Sequence, residues 1–194
     1  MKAVLASSNA GKVREFAALL AARHIEVIPQ SVFGIITPEE TGSTFLENAL
    51  LKARHAARLA ALPALADDSG IEVDALGGRP GVWSARYAGA HASDADNSNQ
   101  LLRELAGVPE GQRRARYRCV LVFMRAPADP DPIVTAGVWE GRVLTAPRGS
   151  GGFGYDVIFQ PDGCEVSAAQ LPAAQKNIIS HRAQALRALL VALT

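Results

Sequence analysis

The stretch Val4-Leu5-Ala6-Ser7-Ser8-Asn9-Ala10-Gly11-Lys12-Val13, followed on to Ile28, decides the fold class. Residues 4–6 read as a short buried strand and residues 7–12 as a loop. Val13, Phe16, Leu19 and Leu20 then recur at helical spacing. Residues 25–28 return to an apolar, strand-like run. Strand, loop, helix and strand in succession predict an α/β fold, a mixed twisted sheet flanked by helices.

Further along, Thr37-Pro38-Glu39-Glu40-Thr41-Gly42 is a polar loop. Thr44 and Glu47 have the spacing of a capping box and open a long helix that Pro63 ends. Leu46, Ala49, Leu50, Ala53, Ala57 and Ala60 form its apolar stripe, with Asn48, Lys52 and His55 on another face. Residues 64–66 read as a short buried strand running into Asp67-Asp68-Ser69-Gly70, and residues 71–73 as a further strand. Residues 77–81 form a tight loop, and Ser93 caps a helix through Leu105. Residues 114–125 and 133–143 read as long strands joined by a proline-rich turn, and residues 157–159 as another strand. Ser180 opens a last helix with Ala183, Leu186, Leu190 and Leu193 inward.

Bulk properties exclude several classes. The chain has 194 residues, which suits a single domain over 1–194, built as one body or as two joined lobes. Its net charge of +1 gives no long-range attraction to nucleic acid or an anionic membrane, so any phosphate site must be built locally. No run approaches the roughly 20 apolar residues of a membrane helix. Asn9, Gly11 and Lys12 interrupt the N-terminal apolar run before it reaches the length of a signal-peptide core. Cys119 lies in an apolar strand and Cys164 in a turn, without metal spacing or a disulfide framework. Both read as thiols of a reducing cytoplasm.

Four groups of residues can carry chemistry. The loop Ser7-Ser8-Asn9-Ala10-Gly11-Lys12 aims backbone N–H groups from a helix start, and Lys12 adds a full charge. It is not a Walker A loop, because Ala6 and Val13 replace the required Gly and Ser/Thr. It reads either as a phosphate cradle or as an ordinary strand-to-helix turn. Asp67 and Asp68 directly follow an apolar strand, where carboxylates must be solvated, paired or metal-bound. With the doublet Glu39-Glu40 they suit a hard divalent cation, although Asp-Ser-Gly is also a common turn.

The third group, from Gly149 to Asp156, contains G-x-G-x-x-G but leads into a strand rather than a helix, which excludes the dinucleotide fingerprint. Phe153 there can lie flat on a base or fill a core. The fourth is Lys176 with Ser180-His181-Arg182, either phosphate and base-edge donors or solvated charges at a helix start. His24, His55 and His91 read as surface residues. Arg114, Arg116 and Arg118 share one strand face, read as solvated rather than as a nucleic-acid surface. Trp83 and Trp139 read as core or interface residues.

Together these segments resemble the inosine/xanthosine triphosphate pyrophosphatase family. To the motifs above the resemblance adds Phe45-Leu46-Glu47-Asn48-Ala49, Leu51-Lys52-Ala53 and Pro80-Gly81-Val82-Trp83-Ser84-Ala85-Arg86-Tyr87, and it covers nearly the whole chain. It implies two lobes with a nucleotide cleft between them, a homodimer, and Mg²⁺-dependent cleavage of ITP, dITP or XTP between the α and β phosphates. Ser7, Ser8, Asn9, Ala10, Gly11 and Lys12 would hold the phosphates, with Lys52 and Lys176 adding charge. Glu40 and Asp68 would hold Mg²⁺, Asp68 would also be the general base, and Ser69 would touch the substrate. Phe153 would stack on the base, walled by Gly154, Tyr155 and Asp156, with His181 and Arg182 reading its edge. The family often has Thr and Gly where this chain has Ser7 and Ser8, Pro at Val157, and an acid at Gln175. Two readings stand beside it: a pyrophosphatase for other modified nucleotides, and a nucleotide-binding regulator without turnover.

Overall fold

A computed structural model describes residues 1–21 and 25–193; His24 lies outside the described residues. The elements in order are β1 (Lys2–Leu5), α1 (Ala10–Ala21), β2 (Glu26–Pro29), α2 (Phe45–Ala60), β3 (Ala64–Val73), α3 (Asp94–Glu104), β4 (Arg114–Met124), β5 (Ile133–Val143), β6 (Phe159–Pro161), α4 (Ala173–Ile179) and α5 (His181–Ala192). The strands form one six-stranded sheet in the order β2-β1-β3-β4-β5-β6. β1 runs parallel to β2 and β3, and β5 antiparallel to β6, so the sheet is mixed as expected. The chain divides into two compact units: Met1–Asp68 with Cys119–Gly137 and Arg182–Thr194, and Ser69–Arg118 with Val138–His181.

In the first unit, Phe16 and Leu20 of α1 and Ala185, Leu186 and Leu189 of α5 pack on Ala3, Leu5, Leu65, Cys119 and Leu121 of the strands. Each fully buried Phe or Leu stabilises by roughly 1.5–3 kcal/mol. α2 opens with the capping box read from sequence: the Thr44 hydroxyl accepts from the Glu47 N–H, and the Glu47 carboxylate accepts from the Thr44 N–H. Its buried face differs from the apolar stripe. Leu46 is exposed, while Asn48 and Lys52 are buried beside Phe45, Ala49, Ala53, Ala56 and Ala57. These two polar side chains are buried because each finds charged or hydrogen-bonding partners inside.

In the second unit, Tyr117, Trp139, Tyr155, Ile158 and Phe159 form the core with Ile71, Val73, Leu101 and Leu105. α3 starts at the predicted cap, Ser93, with Asp96 completing a capping box. Arg114, Arg116 and Arg118 do share a face, and each is paired: with Asp162, with Asp74 and Glu140, and with Glu72. Each guanidinium of that face thus has at least one carboxylate partner. Trp139 is core, whereas Trp83 is exposed with the Arg86 guanidinium 4.4 Å from its ring.

Two expectations are corrected. Residues 64–73 are one continuous strand, so Asp67-Asp68-Ser69-Gly70 is not a loop after a strand. Residues 157–158 lie in turns, and β6 begins only at Phe159.

Candidate active site

Strand geometry explains the carboxylate pair. Successive side chains on a strand point to opposite faces, so Asp67 and Asp68 of β3 must meet different partners. Asp67 faces α1 and α5: its Oδ2 is 2.9 Å from Lys12 Nζ and 3.3 Å from an Arg182 guanidinium nitrogen. Arg182 is fully buried and also donates to Glu15. Burial alone would raise the Asp67 pKa, but Lys12, Arg182 and Lys52 outweigh it and hold this carboxyl well below the usual range.

Asp68 faces α2. Lys52 Nζ donates to Asp68 Oδ1 at 2.8 Å and to Glu40 Oε1 at 2.7 Å. Asn48 Nδ2 donates to Asp68 Oδ2 at 3.2 Å. Burial raises the Asp68 pKa; Lys52 pulls it back, the Glu40 charge adds to the rise, and the net direction is up. Burial also opposes the charge on Lys52, but Asp68 and Glu40 outweigh it and keep it an ammonium.

Glu40 and Asp68 therefore converge on a single positive centre. Mg²⁺ is characteristically held by one or two carboxylates, with water and substrate phosphate completing its shell. The donor set fits such a hard divalent cation. Among the described residues no three His, Cys, Asp or Glu side chains form a ready-made metal cage. Asp67 is on the other face and is held by Lys12 and Arg182.

The loop between β1 and α1 is fixed by its own side chains. The Asn9 carboxamide accepts from the Lys12 N–H and caps α1, and the Ser7 hydroxyl accepts from the Asn9 N–H. The N–H groups of Ala10 and Gly11 then lie in the first turn, outside the helix's own bonding. Ser8, exposed, is tied to buried Gln30, whose amide donates to the hydroxyls of both Ser8 and Thr37.

The second unit holds the other expected residues. Asp156 Oδ2 accepts from Lys176 Nζ at 2.6 Å and from the Phe153 N–H at 2.9 Å. Gly152 has a φ of 75°, and a Cβ there would run into the Asp156 carboxylate, so only glycine fits. The partly exposed Phe153 ring has Lys176 Nζ 4.7 Å from its centroid. Asp94 accepts from the Gly154 N–H at 2.6 Å. The Tyr117 hydroxyl accepts from the Tyr155 N–H, and its ring lies parallel to the His181 imidazole, 4.7 Å away.

Lys12, Lys52, Glu40, Asp67, Asp68 and Arg182 thus belong to one unit, and Ser69, Phe153, Gly154, Tyr155, Asp156, Lys176 and His181 to the other. Sequence reasoning missed Glu15, Gln30, Asn48, Asp94 and Tyr117. Two left a signal: Tyr117, in a strand alternating Arg114, Arg116, Arg118, must face inward, and Asn48 shares a helix face with Lys52 within a motif of the resemblance.

The model of the Ham1 family matches residues 3–192. A dITP/XTP pyrophosphatase of Methylococcus capsulatus is 58% identical over 184 residues, covering 95% of this chain and 92% of the relative. One from Escherichia coli K12 is 52% identical over 192 residues, covering 99% of this chain and 98% of the relative. The solved structure of a HAM1 protein from Coxiella burnetii matches with a TM-score of 0.91 at 47% identity, over 100% of this chain and 98% of that one. The family resemblance read from the motifs is thereby established: the chain belongs to the Ham1 family.

Proposed function

We propose that residues 1–194 act as a single pyrophosphatase domain that hydrolyses noncanonical purine nucleoside triphosphates (dITP, XTP and ITP) to the monophosphate and pyrophosphate. The observation that carries this reading is the convergence of Glu40 and Asp68 on Lys52, within 2.7 and 2.8 Å. It stands in a chain more than half identical to dITP/XTP pyrophosphatases.

Charge supports a metal. In the ion pairs around β3, the carboxylates of Glu15, Glu40, Asp67 and Asp68 face the cations of Lys12, Lys52 and Arg182. A triphosphate brings further negative charge beside these carboxylates, which favours a divalent cation between them. Held by Glu40 and Asp68, Mg²⁺ supplies neutralisation of phosphate-oxygen charge and a lowered pKa for water. Asp68 takes the proton of the attacking water as general base. Lys52 keeps the two carboxylates together and adds positive charge. Ser7, Ser8, Asn9, Ala10, Gly11 and Lys12 orient the phosphates, since phosphoryl transfer is mostly positioning and neutralisation. Ser69 contacts the substrate beside Asp68.

For the base we assign Phe153 to stacking and Gly154, Tyr155 and Asp156 to the wall behind it, with Lys176 as a fixed charge. Hypoxanthine and xanthine carry a 6-oxo acceptor where adenine has an amino donor, so a donating site leaves its donors unpaired with adenine. We assign His181, whose ring stacks on Tyr117, to that edge. Arg182 reads it only by exchanging Asp67 or Glu15 for the base. We also assign the chain to the cytoplasm as a homodimer; no described helix is long and apolar enough to cross a membrane.

The test is incubation with Mg²⁺ and a panel of triphosphates, resolving products by phosphorus NMR. Monophosphate and pyrophosphate from dITP and XTP, with ATP and GTP nearly untouched, are expected. Diphosphate plus orthophosphate would refute the cleavage position. Binding without turnover would make the chain a regulator, and preference for modified pyrimidines would move the substrate class.

A further inference from the structure

We propose that Asn48 is a positioning residue that locks the Glu40 loop to Asp68, so that both carboxylates meet one cation. The proposal deepens the functional reading above and rests on it for the identity of the cation-binding pair. Asn48 lies in the first turns of α2 and is wholly buried. A buried primary amide must satisfy a carbonyl oxygen and two N–H donors, and an unmet one costs about 1–3 kcal/mol. Its Oδ1 accepts from the Gly42 N–H at 2.8 Å, and its Nδ2 donates to Asp68 Oδ2 at 3.2 Å. Reversing the amide would set N–H against N–H and oxygen against carboxylate, so the orientation is fixed by its partners.

The two ends join separate pieces of chain. Gly42 is two residues beyond Glu40, while Asp68 is in the middle of β3. One turn along α2 from Asn48, Lys52 bridges the same two pieces through Glu40 and Asp68. Asn48 thus holds backbone at one end and the carboxylate at the other, while Lys52 holds both carboxylates.

The same contact explains why residue 42 is glycine. A Cβ there would stand 2.6 Å from Asn48 Oδ1 and 2.7 Å from Glu47 Cβ. The loop comes that close only because residue 42 has no side chain. The close approach and the hydrogen bond describe the same seat from two sides.

The test uses Asn48→Ala and Gly42→Ala in the full chain. Mn²⁺ affinity is measured without nucleotide by electron paramagnetic resonance of free Mn²⁺, alongside kcat and KM for dITP and the melting temperature in chelator. Residues that orient metal ligands typically change metal affinity or activity 10- to 100-fold. Both variants should weaken Mn²⁺ binding and lower kcat by about 10-fold or more, with KM little changed. Asn48→Gln, which keeps the amide but lengthens its stem, should not restore wild-type affinity. If Asn48→Ala fails to fold, Gly42→Ala decides, because residue 42 precedes α2 and its added methyl meets the Asn48 amide and the exposed Glu47 rather than the apolar core. Mn²⁺ affinity and kcat within about twofold of wild type in a folded variant would overturn the proposal. A wild-type chain that binds Mn²⁺ but turns over no dITP would overturn the functional reading instead, and the Mn²⁺ arm would still decide the role of Asn48.

Discussion

Asp67 and Asp68 are neighbours in β3, yet one is held by Lys12 and Arg182 and the other by Lys52. The strand's alternation sorts two identical side chains into two jobs. The fully buried Asp67 is a structural counter-ion with a lowered pKa, and Asp68 is the group with the raised pKa that shares a cation with Glu40.

Asp68→Asn should lower kcat by about 10²-fold or more, the loss typical of a missing general base, while nucleotide affinity largely survives. Asp68→Asn also takes a carboxylate away from the buried Lys52 ammonium, which Asp68 and Glu40 together keep charged. The metal-free variant should therefore melt lower than wild type, as when one partner of a buried ion pair is removed. Steady-state kinetics and calorimetry check both halves.

Asp67→Asn should act through stability. It removes the carboxylate from a buried ion-pair cluster and should cost about 3 kcal/mol of stability, with any loss of kcat following from the fold. Asp67 has its folded pKa depressed below 3.8, so its contribution is full above that value and is lost as pH falls towards the folded pKa. Urea unfolding in chelator should show a gap between wild type and variant that is wide at neutral pH and narrows below about pH 4.

The capping box at Thr44, the helix cap at Ser93, the opening β1–α1–β2 and the long strands β4 and β5 were all legible, because each rests on local spacing. Asp67-Asp68-Ser69-Gly70 was not legible as strand. Asp and Gly are poor strand formers, and the ion pairs that hold them there come from residues far along the chain. Arg182 and Glu15 are 167 positions apart, so neither Arg182's partners nor its burial could be read from its surroundings. Asn48 and Lys52 sit at i and i+4, which looks like a solvated helix face; only Gly42, Glu40 and Asp68 turn it inward. The seven-residue α4 left no periodic signal. The Phe153 loop was legible as a presented aromatic, but the supports that shape it, Asp94 and Tyr117, are distant in sequence.

Phe153→Ala should raise KM for dITP by about 10-fold, since stacking on an aromatic ring contributes roughly 1–3 kcal/mol per base. kcat should change much less, because the ring takes no part in proton transfer. Pyrophosphate release at varied dITP resolves the two constants.

The two thiols should differ sharply. Burial, with Asp67 adding to it, pushes the Cys119 thiol up to about 12. Cys164 is partly exposed. A disulfide reagent at neutral pH should titrate one thiol per native chain quickly and the second only on denaturation.

The central claim is attack by water on the α-phosphate with Asp68 as base. Hydrolysis of dITP in ¹⁸O-water, followed by mass spectrometry of both products, tests it most directly. One ¹⁸O in the monophosphate, unlabelled pyrophosphate, and near-complete loss of both products with Asp68→Asn are expected. Label in the pyrophosphate, or dIDP and orthophosphate as products, would contradict it.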